Sequence, residues 1–323
     1  MNKVTVVVPN WNGIEYLRKC LNSLRGQDYD FDLIVVDNGS TDGSVSMAEA
    51  EYPEAKLVAF PENTGFCHAC NEGMKTADTP YVILLNNDTK VLSGFIENLV
   101  KAIEENEKIF SVSSRMLQIQ DNGKIDDAGD RYTVFGWAYA RGKDKSTDKY
   151  DKPCNVFAAC GGASIYRKSV LERIGYLDEN HFAYMEDIDL GYRALIYGYQ
   201  NRYEPSAQVI HAGSASSGSR YNEFKTKLAA ANNAYMVMKN MPLLQLLLNL
   251  PFLLVGFVVK TIFFARKKMG ILYIKSYFEG IKKALDKAAG GAHKVKFRFR
   301  NLPAYVKIQL YLYIDTVRML WKG

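Results

Sequence analysis

The chain has 323 residues, 48% hydrophobic and 24% charged, with a formal net charge of +6. That length and apolar content suit one large folded core and exclude a disordered or fibrous chain. Five cysteines spread from Cys20 to Cys160 exclude a disulfide-stapled scaffold and fit a reduced, intracellular compartment.

Residues 3–8 read as a buried strand that ends at Pro9-Asn10-Trp11-Asn12-Gly13 and is too short for a secretory signal core. Leu17, Cys20, Leu21 and Leu24 then recur at helical spacing. Residues 31–36 run apolar into Asp37-Asn38-Gly39-Ser40, completing a βαβ unit. A third strand at 55–60 leads into Asn63-Thr64-Gly65-Phe66 and a helix to about Thr76. Cys67-His68-Ala69-Cys70 opens that helix; no second CxxC follows, so a core role is expected before a metal or redox one.

Tyr81 to Thr89 is the organising stretch: an apolar, β-branched run ends in Asn86-Asn87-Asp88-Thr89, as a buried parallel strand does when it delivers polar groups to a ligand-binding edge. Asp88 suits a hard divalent cation on a diphosphate. Equally, the three residues suit an Asx turn capping a helix from about Leu92. GxGxxG and GxxxxGK[ST] are both missing from this half, which excludes an ordinary dinucleotide binder or P-loop enzyme.

A strand is predicted at 109–114. The polar segment through Arg131 to Lys152, with Trp137, reads as a lid or acceptor-facing excursion. A strand at 156–166 passes through Gly161 and Gly162, where a ligand can approach closely. Glu186, Asp187 and Asp189 crowd the first turn of a helix to about Tyr197; more carboxylates than capping needs raise a pKa and prepare a general base. A closing strand from Gln200 delivers His211, ahead of Ala212-Gly213-Ser214, as a further candidate ligand.

After a helix at 221–240, residues 241–259 carry no charge, close to the roughly 20 residues of a membrane span. Twelve basic residues from Lys260 to Arg300, Lys287 and Lys294 among them, face only Glu279 and Asp286, so an anionic membrane surface is expected as partner, not nucleic acid. A single span would put these cations outside the cell, so monotopic insertion fits better, with residues 302–321 as an interfacial helix. A buried helical hairpin or a homodimer interface is the alternative.

Val-Val-Val-Pro-Asn-Trp-Asn-Gly at 6–13, Val-Val-Asp-Asn-Gly-Ser-Thr-Asp-Gly-Ser at 35–44, Leu-Leu-Asn-Asn-Asp-Thr at 84–89 and Tyr-Met-Glu-Asp-Ile-Asp-Leu-Gly-Tyr-Arg at 184–193 together resemble the family 2 glycosyltransferases of GT-A fold, particularly their rhamnosyltransferase-like branch. The resemblance covers roughly residues 3–215. It implies a Rossmann-like, mostly parallel α/β sheet flanked by helices over residues 1–220, with a nucleotide-sugar half to about 115 and an acceptor half after it. Residues 221–323 would form a helical, membrane-associating region at the cytoplasmic face.

The resemblance also implies inverting transfer from a nucleoside-diphosphate sugar, dTDP-rhamnose first and UDP-hexoses or UDP-hexosamines next, to a saccharide or polyprenyl-linked saccharide. Asp37 would read the base, with Pro9 and Asn10 around base and ribose, and Asn12, Asn38, Ser40, Asn63, Gly65, Phe66, Asn71, Asn86 and Asn87 completing the nucleotide site. Asp88 and His211 would hold Mg²⁺ or Mn²⁺, and Asp187 with Glu186 beside it would act as base; apart from the resemblance, the residues themselves place Gly161, Gly162 and Trp137 on the acceptor side. Two positions depart from the family pattern: Asn86 stands where Asp is common, and Cys67-His68-Ala69-Cys70 follows Phe66. A nucleotidyltransferase would need a Gly- and Lys-rich loop that residues 9–13 lack, and an inactive scaffold would not keep these carboxylates and His211.

Overall fold

The computed structural model describes residues 2–213, 221–286 and 296–321; Ser214, Lys287 and Lys294 lie outside them. Strands β1 (Val4–Asn10), β2 (Asp32–Asp37), β3 (Lys56–Ala59) and β4 (Tyr81–Leu85) run parallel in the order β4-β1-β2-β3. Each of β1 and β4 is buried along its whole length, because helices cover both faces.

On one face Val4, Val6 and Val8 pack with helices α1 (Ile14–Arg25), α2 (Ser44–Glu51) and α4 (Phe95–Glu104). On the other, Val7 packs with α3 (Phe66–Thr76), α5 (Lys168–Ile174) and α6 (Glu186–Ile196). Cys67 and Cys70 are fully buried in this second layer, and all five cysteines are free thiols.

Past β4 the chain departs from expectation. A short strand β5 (Thr89–Val91), not a helix, follows Asp88, and α4 starts after Gly94 with no side-chain cap among the described residues, so Asp88 does not cap α4. The long strand β6 (Ile109–Gln118) leads to β7 (Ile125–Asp127) and the hairpin β8 (Asp130–Tyr132) and β9 (Ala138–Ala140). The start of what reads as a polar lid is buried, with Asp126, Asp127 and Asp130 ahead of it and Arg131 and Tyr132 inside, while residues 144–146 and 151–152 are exposed.

The single strand expected over 156–166 is two strands, β10 (Cys154–Val156) and β11 (Ala163–Arg167), with Gly161 and Gly162 in the loop between. β11 runs antiparallel between β4 and β6, and β12 (Gln200–His211) runs parallel to β6.

Helices α7 (Glu223–Asn240), α8 (Leu243–Arg266) and α10 (Leu302–Trp321) share a core with the sheet half, in which Tyr132, Phe157 and Tyr192 meet Met236, Leu253 and Ile308, while α9 (Gly270–Leu285) packs through Tyr273 on Ala230 and Phe264. Arg131 pairs with Asp315 of α10 at 3.3 Å, and Gly256 of α8 lies so close to the Phe135 carbonyl that a Cβ would stand 2.2 Å from it.

α8 buries a stripe of mixed polarity, Leu253 and Phe264 included, and is apolar outside. Its buried positions include Gln245, Asn249 and Gly256; Tyr192 donates to Gln245 at 2.9 Å, and Asn249 and Gln309 exchange two bonds of 2.8 Å. Leu244, Leu247, Leu248, Leu254, Val255 and Val258 are exposed, the reverse of a helix lying on a core in water. A helix buried within the chain is therefore not what the apolar segment forms. Among the described residues α8 alone is long and apolar enough to cross a membrane.

Candidate active site

The polar tips of the parallel strands meet above the sheet. Asn10 and Asp37 end β1 and β2 as direct neighbours; Asn10 Nδ2 donates to Asp37 Oδ2 at 2.9 Å, and Asn87 Nδ2 donates to Asn10 Oδ1 at 2.6 Å. The Ser40 amide donates to Asp37 Oδ1, and the Asn12 amide to Ser40 Oγ, each at 2.8 Å. Asn38 Nδ2 donates to Asn63 Oδ1 and the Gly65 carbonyl, while its Oδ1 accepts from Thr64. Paired amides let the tips stay buried without unmatched polar groups.

A strand-tip pocket of about 360 Å³ opens there. Pro9, Asn10, Asn38, Asn63, Phe66, Asn86, Asn87, Asp88, Glu186 and His211 line it, with Trp11, Phe182, Tyr184 and Phe224, four aromatics that sequence reasoning missed. Asp37, Ser40, Asn12 and Gly65 support it from behind. Gly65 has φ +96°, and a Cβ on it would stand 2.6 Å from the Phe182 ring. Asn71 lies apart, bonded to both backbone groups of Leu177 and to Glu179.

A side pocket of about 510 Å³ adjoins it, lined by Gly161, Gly162, Asp126, Asp127, Tyr139, Lys143 and Asp187 among others. Glu186, His211, Asn86, Phe66 and Tyr184 stand in both linings. Trp137 is in neither: its indole donates to the Gly256 carbonyl at 3.3 Å.

His211 Nε2 lies 3.3 Å from Asp88 Oδ1, and its Nδ1 lies 2.8 Å from Asp126 Oδ2. Burial opposes the charged imidazole, yet bonds to the two carboxylates outweigh it and push its pKa up to about 9. Lys143 also pairs with Asp126. A carboxylate oxygen and an imidazole nitrogen facing each other, with the second imidazole nitrogen held by another carboxylate, is a donor set that fits a divalent cation. Asp126 carried no sequence signal for this role.

Two other clusters have cation-ligand spacing: Asp127, Asp130 and Cys160; and Asp178, His181 and Asp189. In the second, Lys239 already stands as the cation, its Nζ 2.7 Å from both Asp178 and Asp189.

Asp187 sits among acids. Burial raises its carboxyl above the usual range. Burial and then Asp187 push Glu186 up to about 8, and burial with Asp126 and Asp187 nearby pushes Asp127 up to about 7. Among the described residues, buried Glu186 Oε2 has no hydrogen-bond partner. Carboxyls held this high keep or accept protons near neutral pH, as proton-transfer groups require.

The loop before α6 is shaped from α7. Phe182, Tyr184 and Met185 have φ of 62°, 70° and 71°, a region L-residues seldom occupy. Asn232 Nδ2 contacts the carbonyls of His181, Ala183 and Tyr184 at 2.7, 2.8 and 2.9 Å. Buried His181 has its pKa lowered to about 4 by desolvation.

The model of glycosyl transferase family 2 matches residues 5–175. The chain belongs to that family. This family 2 chain is 26% identical over 239 residues to the N-acetylglucosaminyl-diphospho-decaprenol L-rhamnosyltransferase of Mycobacterium tuberculosis, covering 66% of the chain and 77% of the relative. Its fold is similar to GalNAc-T7 solved with UDP, GalNAc and Mn²⁺ (TM-score 0.60, 15% identity, 74% of this chain and 48% of that one). It is also similar to the mannosyltransferase PcManGT from Pyrobaculum calidifontis in complex with GDP-Man and Mn²⁺ (TM-score 0.52, 17% identity, 99% and 88%). The expected GT-A fold is thus the one found.

Proposed function

We propose that the chain transfers a sugar, L-rhamnose from dTDP-rhamnose as the first candidate, to a saccharide carried on a polyprenyl diphosphate, with inversion. The observation that carries this reading is the wall shared by the two pockets: Glu186 and His211 face both. A nucleotide sugar in the strand-tip pocket then presents its anomeric carbon to an acceptor in the side pocket.

Asp37 and the Asn10–Asn87 pair would hold the base and ribose. Asp88 and His211 would hold Mg²⁺ or Mn²⁺, which when bound neutralises the leaving diphosphate. Asp187, on the side-pocket wall, would take the proton of the acceptor hydroxyl. That oxygen bonds to the anomeric carbon as the bond to the diphosphate breaks on the opposite face, inverting the configuration. The acceptor class follows the similarity to the mycobacterial enzyme.

The exposed apolar face of α8, together with exposed Leu302, Val306, Leu310, Ile314 and Trp321 on α10, supports monotopic docking of residues 221–323 on the cytoplasmic leaflet, the region read as separate from residues 1–220. Co-flotation with anionic vesicles tests this; a stable dimer that ignores vesicles would assign the surface to self-association instead.

The donor is tested by thermal shift with UDP, dTDP, GDP and CDP, each with Mn²⁺ and again with EDTA. A ligand at a hundred times its Kd stabilises by about 2.7 kcal/mol. Metal-dependent stabilisation by dTDP supports rhamnose, by UDP a hexose or hexosamine; no stabilisation by any nucleotide would overturn the reading.

A further inference from the structure

A third cavity, of about 180 Å³, lies beneath the side pocket toward α8. Ala138 lines both cavities, and Met185 in its wall immediately precedes Glu186. Its outer wall is α8, through Leu253, Phe257, Lys260 and Phe264.

The lining holds donors and no carboxylate. The Lys260 ammonium sits 5.9 Å from the Trp137 ring centroid and, among the described residues, pairs with no anion. Asn233 spends its carbonyl oxygen on the Tyr132 hydroxyl at 2.8 Å, and among the described residues its amide NH₂ donates to nothing. Tyr273 and Tyr277 also line the cavity, their hydroxyls making no hydrogen bond among the described residues. A cation and unspent donors around one cavity, without a single acid to match them, call for an anionic ligand.

We propose that this cavity binds the diphosphate of a lipid-linked acceptor, with Lys260 as its cation and Asn233 as a hydrogen-bond donor. The inference rests on the acceptor class proposed above. The cavity lies between the acids of the side pocket and the apolar helix. A saccharide at Asp187 therefore continues into a diphosphate at Lys260 and a prenyl chain along the exposed Leu254 and Val258 side of α8. A free phosphate or diphosphate shares the anion chemistry but gains nothing from that apolar wall.

The test uses the full chain in micelles with EDTA, titrated with farnesyl diphosphate, inorganic diphosphate and farnesol while tryptophan fluorescence is followed. Farnesyl diphosphate is expected to bind most tightly. Lys260→Met should weaken it about tenfold to a hundredfold, the usual worth of a charge-assisted hydrogen bond, and Lys260→Arg should retain most of the affinity. Both variants should keep nucleotide-Mn²⁺ binding, which also reports that they fold.

Equal affinity of Lys260→Met and the native chain, or of farnesol and farnesyl diphosphate, overturns the site. Inorganic diphosphate binding as tightly as farnesyl diphosphate overturns the lipid-linked assignment. A native chain that holds nucleotide but no farnesyl diphosphate overturns this inference alone, whereas one that holds farnesyl diphosphate but no nucleotide overturns the transferase reading.

Discussion

His211 Nε2 stands 3.3 Å from Asp88 Oδ1, although 123 positions separate them in the chain. β12 runs antiparallel to β5, with His211 registered opposite Thr89, so sheet pairing brings the imidazole to the strand tip. Asp126 then fixes the ring from behind at 2.8 Å.

Asp126→Asn is accordingly expected to weaken Mn²⁺ about 10- to 100-fold, the usual effect of losing an outer-shell partner, and Asp88→Asn to abolish metal-dependent nucleotide binding. Calorimetric titration with Mn²⁺ and nucleotide measures both. Undiminished Mn²⁺ affinity in Asp126→Asn would remove it from the site.

Glu186 gives a pH dependence of stability with a definite sign. Its folded pKa of about 8 lies above the ordinary value of 4.5, so between those values the folded chain holds a proton that the unfolded chain has released. Its contribution is fully present below about pH 4.5 and is lost as pH rises through about 8. Glu186→Gln removes that loss and should raise Tm at pH 8.5 by at least about 2 °C, with a smaller gain at pH 5. Equal shifts at both pH values would show that Glu186 is ionised throughout.

Asn232→Leu leaves the carbonyls of His181, Ala183 and Tyr184 without their amide donor. A loss of about 1–3 kcal/mol follows from unsatisfied buried groups. Turnover should fall more than nucleotide affinity, because the loop they hold leads directly into Glu186 and Asp187. Denaturant titration alongside kcat and nucleotide Kd separates the two effects.

Lys239 is fully buried between Asp178 and Asp189, with Arg193 completing the cluster at 3.0 Å from Asp189. Although burial disfavours its charge, the two cations hold Asp189 well below the usual carboxylate range. Lys239→Met should cost about 3–5 kcal/mol, the penalty for breaking a buried ion pair from one side. A cost under about 1 kcal/mol in urea denaturation would mean that the pair is dispensable.

The parallel strands β1, β2 and β4 are legible because they are buried on both faces and therefore read as continuous apolar runs that stop at polar tips. Asp88 and His211 could be picked out singly for the same reason, each sitting at the end of such a run. Asp126 could not. It lies in a three-residue strand, too short for any periodicity, and its partner His211 is 85 positions away.

The segment through Arg131 to Lys152 reads as a lid because its charges suggest solvent. Arg131 is buried only because Asp315, 184 positions on, comes to meet it. Trp137 reads as acceptor-facing because it stands with several tyrosines in a polar segment, and only the packing of α8 reveals the Gly256 carbonyl that takes its N–H. The four aromatics around the strand-tip pocket were hidden in plain composition, since nothing local distinguishes Phe182 or Phe224 from a core residue.

Asp187→Asn, assayed for sugar transfer from dTDP-rhamnose and UDP-sugars to a polyprenyl-diphosphate saccharide with nucleotide-Mn²⁺ binding measured on the same preparation, tests the proton-accepting role of Asp187 most directly. Turnover should fall by roughly 10² to 10⁴, the usual worth of a general base, with nucleotide affinity unchanged. Turnover equal to that of the native chain would contradict this and move the proton-accepting role away from Asp187.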